Sequence, residues 1–127
     1  MAVGAFRSVV LDVNDMKEGE RFWCAVLGLE AQWPSEGLQF CRLGAKGPGS
    51  VLLQLVPEEK TVLKNRAHID ITVRNVEHAV DHVVQLGGSV LKEPEPFPET
   101  EPLAKWAVMA DPFGNEFCLI QDLQATL

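Results

Sequence analysis

Ser8-Val9-Val10-Leu11-Asp12-Val13-Asn14-Asp15-Met16 returns sixty residues later as His68-Ile69-Asp70-Ile71-Thr72-Val73-Arg74-Asn75-Val76. Both stretches place apolar residues at alternate positions: Val9, Leu11 and Val13 in the first, Ile69, Ile71 and Val73 in the second. A period of two is the mark of a strand with one face on a core. Each stretch then meets a polar pair, Asn14-Asp15 or Arg74-Asn75, which suits the entry to a helix. A repeat on this scale decides the fold before any single motif does.

Working outward, helical spacing follows in both copies. Phe22, Trp23, Val26 and Leu27 form an apolar stripe that Gly28 stops. Val76, Ala79, Val80, Val83 and Leu86 form a second, stopped by Gly87-Gly88. Pro48-Gly49-Ser50-Val51-Leu52-Leu53-Gln54-Leu55 aligns with Pro112-Phe113-Gly114-Asn115-Glu116-Phe117-Cys118-Leu119 at an offset of 64, a closing strand in each copy. Between helix and closing strand there is room for two short strands, at about 30–33 and 38–43 in the first copy and about 89–92 and 105–110 in the second. Residues 93–103 carry Pro94, Pro96, Pro98 and Pro102. These predict an exposed loop excluded from ladder pairing, long enough to cover a pocket. The chain is thus two tandem β-α-β-β-β modules, at about 5–57 and 66–122, joined by a charged linker at about 58–65. Each module is too small to bury both faces of its sheet. The expectation is one α+β domain, 1–127, with an open, barrel-like concave sheet.

Composition narrows the function classes. With 46% apolar residues in 127, the chain can build an ordinary globular core. Its net charge of −7, with no basic stripe, disfavours nucleic acid. No apolar run is long enough to cross a bilayer, so no membrane partner is expected. Cys24, Cys41 and Cys118 are odd in number and form no CxxC pattern, which points to reduced thiols in a cytoplasm.

Strand alternation locates a candidate site. If Ile69, Ile71 and Val73 face the helix, His68, Asp70 and Thr72 face the other way, as Ser8 and Asp12 do in the first copy. In the closing strands the same face carries Gln54 in one copy, and Glu116 and Cys118 in the other. Curled into one concave surface, Ser8, Gln54, His68 and Cys118 would converge, with Asp70 and Glu116 nearby. Trp33, Phe40, Trp106 and Phe97 are candidate stacking walls. Each has a structural alternative: His68 as a partner of Asp70, Gln54 satisfying a sheet edge, Cys118 as a small buried hydrophobe, the aromatics as core. His78 and His82 lie four apart beside Glu77 and Asp81, and read as a solvated helix face.

These residues resemble the vicinal oxygen chelate superfamily, which groups glyoxalase I, bleomycin-resistance proteins and extradiol dioxygenases. Arg21-Phe22-Trp23-Cys24-Ala25-Val26-Leu27-Gly28-Leu29 is similar to its first helix ending in Leu-Gly. Asp111-Pro112-Phe113-Gly114-Asn115-Glu116-Phe117 is similar to its Asp-Pro-x-Gly-Asn turn before the last strand. Lys64-Asn65-Arg66-Ala67-His68-Ile69-Asp70 resembles a glyoxalase-like subgroup, and the likeness runs from about Phe6 to Gln121. It implies metal-ligand positions at Ser8, Gln54, His68 and Cys118. Ser8 stands where His or Gln is expected, and Cys118 where Glu is customary. No cofactor is therefore expected. A divalent ion (Zn, Ni, Mn or Fe) would have to draw on His68, Gln54 and Glu116, and Asp70 or Glu116 could restore coordination by shifting in.

The resulting expectation is a glyoxalase/bleomycin-resistance-like protein that binds a small molecule in the concave sheet pocket without a catalytic metal. Its ligand-binding set is Ser8, Trp33, Phe40, Gln54, His68, Asp70, Trp106 and Cys118. The alternative is a glyoxalase-like lyase or isomerase using a divalent metal or a His68-Asp70 acid/base pair, with Glu116 moving a proton. A third reading is an interaction module with a vestigial pocket. The resemblance also implies a homodimer.

Overall fold

A computed structural model describes residues 5–32, 39–45, 47–61, 65, 67–100 and 102–123. The chain forms two compact units, Met1–Glu59 and Lys60–Leu127. The class is α+β, with one helix and one open sheet per unit among the described residues; neither sheet closes into a barrel. Among the described residues no helix is long and apolar enough to cross a membrane.

The first unit runs β1 (Val9–Val13), α1 (Met16–Leu27), β2 (Phe40–Leu43) and β3 (Val51–Leu55). Its sheet has the order β1-β3-β2, with β1 parallel and β2 antiparallel to β3. Leu11 and Val13 are buried while Val10 and Asp12 are exposed, as the alternation requires. Asp15 opens α1 by accepting the Glu18 N–H at 2.9 Å. Gly28 closes it in the left-handed region, φ 66°, where a side chain would be strained. Phe22 and Trp23 are wholly buried and meet edge to face at 5.2 Å.

The expected strand at 30–33 is reduced to a bridge, Ala31 opposite Leu43. Gly44, at φ 83°, turns the chain out of that ladder once its N–H has reached Glu30 O. Trp33 lies outside the described residues.

The second unit runs β4 (Ile69–Thr72), α2 (Val76–Gln85), β5 (Ser89–Phe97), β6 (Ala104–Ala110) and β7 (Glu116–Asp122). Its order is β4-β7-β6-β5, with β4 parallel to β7 and the remaining pairs antiparallel. Asn75 caps α2 by accepting the His78 N–H at 2.9 Å, and Gln121 Oε1 accepts the Val76 N–H at 2.9 Å. Val76, Val80 and Val83 are its buried stripe; His78 and His82 are exposed. Central β7 is buried on both faces through Glu116, Phe117, Cys118 and Leu119.

Two expectations need correction. The proline-rich stretch is not excluded from pairing: β5 continues to Phe97, with Glu95 opposite Trp106, Pro96 opposite Lys105 and Phe97 opposite Ala104. β5 is an edge strand with register shifts between Val90 and Lys92 and between Lys92 and Glu95. An edge strand with bulges tolerates proline, because a missing N–H there breaks no ladder bond. The closing strands also do not match at the offset of 64. Val51 pairs with Val9, and Phe117 pairs with Ile69, so pairing equates Val51 with Phe117, two residues beyond the sequence alignment.

Candidate functional site

The turn before β7 sets the site's geometry. Asp111 is buried, and its carboxylate accepts the N–H groups of Phe113 (2.9 Å) and Asn115 (2.7 Å) and the Asn115 side-chain amide (2.8 Å). Gly114 takes φ 89°, and its carbonyl accepts a hydrogen bond from Lys60 Nζ at 2.7 Å. This network is the physical content of the Asp-Pro-x-Gly-Asn pattern: one carboxylate satisfies the turn's donors and fixes where β7 begins.

From that start, Glu116 pairs with Ala110 and Cys118 with both Asp70 and Val108. His68 lies just before β4, two residues from Asp70 and on the same face. Its Nε2 is 3.2 Å from Asp70 Oδ1. The side chains of His68 and Asp70 are exposed, whereas Cys118 is buried at 3% relative exposure. Donor atoms of His68, Asp70 and Cys118 all lie within 4.8 Å of one another. Burial pushes the Cys118 thiol up to about 11, reinforced by the Asp70 charge, by its hydrogen bond to Asp70, and by Glu116. A thiol in that setting stays protonated at neutral pH and is no nucleophile.

Beside the cluster is a cavity of about 250 Å³ lined by His68, Asp70, Phe97, Ala104, Trp106, Cys118 and Ile120. Cross-strand pairing explains the lining: Trp106 opposes Ile120, and Ala104 opposes Phe97. Phe97 and Trp106 meet near perpendicular with ring centroids 6.2 Å apart. Lys92 Nζ sits 3.7 Å from the Trp106 ring centroid and also pairs with Glu95. The second unit alone therefore supplies a mostly apolar wall with three polar groups at one side, the usual composition of a ligand pocket.

The structure thus brings together five of the anticipated residues, His68, Asp70, Phe97, Trp106 and Cys118. Glu116 is outside the cavity lining: it is buried, 3.8 Å from Lys60 Nζ. Ser8, Phe40 and Gln54 belong to the first unit, where Ser8 precedes β1 and Phe40 opposes Gln54 across β2 and β3. Ala104, Lys92 and Lys60 escaped the sequence reading. Ala104 and Lys92 follow from the extended β5–β6 pairing that the prolines argued against, and a linker lysine carries no local signal of a distant turn.

The four superfamily metal positions hold a hydroxyl, an amide, an imidazole and a protonated thiol. With no carboxylate among them, they do not fit an octahedral hard divalent ion.

Residues 8–120 match the glyoxalase-like domain family. No curated protein matches the chain significantly. Among solved structures, a glyoxalase/bleomycin resistance protein/dioxygenase family enzyme from Burkholderia phytofirmans PsJN is 19% identical, with TM-score 0.68, covering 91% of this chain and 97% of its own. A glyoxalase-related enzyme from Fulvimarina pelagi is 15% identical, with TM-score 0.70, covering 96% and 89%. A glyoxalase/bleomycin resistance protein/dioxygenase from Alicyclobacillus acidocaldarius is 14% identical, with TM-score 0.66, covering 96% and 93%. At such identities the likeness establishes the fold and leaves the reaction open.

Proposed function

The chain belongs to the glyoxalase-like domain family, and from that premise we propose that it binds a small organic molecule in the cavity of its second unit, without the octahedral metal centre of the superfamily's enzymes. The observation that carries this reading is the cavity itself. About 250 Å³ is bounded by Phe97, Ala104, Trp106 and Ile120, with His68, Asp70 and Cys118 grouped as its polar side. Its volume lies just under the range of about 300–1,000 Å³ usual for ligand pockets, which favours a compact ligand. A flat apolar body would lie against Trp106 and Phe97, and a polar or cationic head would meet Asp70. Free thiols support a cytoplasmic setting, and a homodimer remains part of the proposal by family likeness.

A screen of small molecules by thermal unfolding tests it. A true ligand at a hundredfold its Kd adds about 2.7 kcal/mol of stability. Trp106→Ala should weaken that ligand at least tenfold, while Phe40→Ala leaves it within twofold. If no compound stabilises the protein, or stabilisation survives Trp106→Ala unchanged, the pocket is not the site.

The 3.2 Å separation of His68 Nε2 and Asp70 Oδ1 supports a second reading, a lyase or isomerase in which His68 takes a substrate proton and Asp70 orients the imidazole. On that reading His68→Ala abolishes turnover of the stabilising compound while the fold persists; turnover that survives removes the proposed base.

A further inference from the structure

We infer that His68, Asp70 and Cys118 form a zinc site of their own, made within the second unit and different in composition from the superfamily's metal centre. The inference goes beyond the pocket reading and does not depend on it. Asp70 is outside the four superfamily positions, and no residue of the first unit is needed.

Geometry is the first support. Asp70 and Cys118 are paired across β4 and β7, and His68 shares their face. Three atoms within 4.8 Å of one another leave a central ion no more than about 2.8 Å from each. Shifts of roughly 0.5–0.8 Å then reach zinc-ligand distances of about 2.0–2.3 Å. His68 and Asp70 are exposed, while Cys118 is buried in β7.

Donor chemistry is the second. Zinc would displace the Cys118 proton on binding. The resulting thiolate, with an imidazole and a carboxylate, suits zinc or its spectroscopic substitute cobalt(II) and suits magnesium or manganese poorly. One thiolate and one carboxylate offset the charge of the dication. Three protein ligands leave one coordination position open, as in zinc sites that bind a water or an exogenous group. The same three side chains line the cavity, so that position faces the space against Trp106 and Phe97.

Cobalt(II) titration of the purified, reduced protein tests the site directly. One equivalent should raise the near-ultraviolet thiolate-to-cobalt charge-transfer band, and zinc should displace it. Cys118→Ser should abolish the band, His68→Ala and Asp70→Asn should weaken zinc at least tenfold, and Gln54→Ala should leave it within twofold. Trp106→Ala should keep the band, which separates this outcome from that of the pocket reading. Where Cys118→Ser does not fold, the other two variants carry the test. Absence of the band overturns the site. So does a band that persists in folded Cys118→Ser, which would place the ion on Cys24 or Cys41. Loss of zinc affinity in Gln54→Ala equal to that in His68→Ala would restore a superfamily-type set and overturn it as well.

Discussion

In the first unit Asp12 opposes Gln54; in the second, Asp70 opposes Cys118. On the sixty-residue repeat the counterpart of Asp12 is Thr72, which opposes Ile120. The closing strand of the second unit has therefore slid by two residues against its parallel neighbour. A slip of two keeps every side chain on its face but changes who meets whom. It brings a buried thiol beside a carboxylate and a histidine in one unit only. The helices differ in the same spirit. α1 buries Met16, Phe22 and Trp23, whereas α2 buries only valines, Val76, Val80 and Val83. The first unit concentrates its bulk in the core. The second uses a wider sheet, with aromatic residues left to line a cavity on the face that carries Asp70 and Cys118.

Core truncation should break this contrast most visibly. Trp23→Ala removes a wholly buried aromatic and its edge-to-face contact with Phe22, and should cost about 3–5 kcal/mol in urea unfolding. Val80→Ala on α2 removes far less and should cost about 2 kcal/mol. Equal losses would mean the two helices anchor their units equally, against the difference in buried volume.

Alkaline titration compares the units through their thiols. Burial raises both Cys41 and Cys118 from an ordinary value of 9.0 to about 11. Unfolded thiols ionise near the ordinary value while the native ones stay neutral. Stability from each is therefore fully present below about pH 9 and drains away as pH rises through about 11, at up to ~1.4 kcal/mol per pH unit per cysteine. Cys118→Ala and Cys41→Ala should each flatten part of that decline. Asp70→Asn should lower the Cys118 value and leave Cys41 alone, because Glu20 and Cys24, not Asp70, assist the burial effect at Cys41. Thiol alkylation rates against pH read both; a common response to Asp70→Asn would dissolve the distinction.

Much of this was legible in the sequence, and the exceptions have physical causes. Alternation at Val9–Leu11–Val13 and Ile69–Ile71–Val73 reports burial locally, so both strands and the exposed set His68, Asp70 and Thr72 could be read off. Gly28 and Gly87 end helices because only a residue without Cβ enters the left-handed region freely, and that too is local. Pairing register is not local: nothing in residues 111–119 says which residue of β4 lies opposite, so the two-residue slip was invisible. Pro94 and Pro96 argued against a strand because their tolerance depends on β5 being an edge, which is a property of the whole sheet. Glu116 looked like a free carboxylate beside the site until the linker's Lys60 proved to hold it.

That linker contact is the next difference to test. The first unit closes the turn before β3 with a neutral bond, Ser50 Oγ to Gly47 O at 2.7 Å. The second uses a cation, Lys60, shared between Gly114 O at 2.7 Å and Glu116 at 3.8 Å. Lys60→Met should destabilise by about 1–3 kcal/mol, since it deprives a buried carboxylate of its nearby cation. Glu116→Gln should recover part of that loss in the double variant, a coupling of at least about 0.5 kcal/mol. Additive effects would show that the pair is incidental.

The smallest effect concerns the most symmetrical feature. Asp15 and Asn75, sixty residues apart, cap α1 and α2 with the same bond to the third residue on, each 2.9 Å. Removing a cap of this type costs about 1 kcal/mol. The repeat alone would make Asp15→Ala and Asn75→Ala equal. The structure argues otherwise: Gln121 Oε1 already accepts the Val76 N–H, so the second helix keeps one first-turn donor satisfied without its cap. Asp15 also sets a negative charge against the helix N-terminus, worth a further ~0.3–1 kcal/mol. Asp15→Ala should therefore cost more than Asn75→Ala, and adding Gln121→Ala to Asn75→Ala should bring the second helix's loss up to that of the first. If the single variants cost the same, the Gln121 bond contributes nothing and the two caps are as equivalent in energy as they are in sequence.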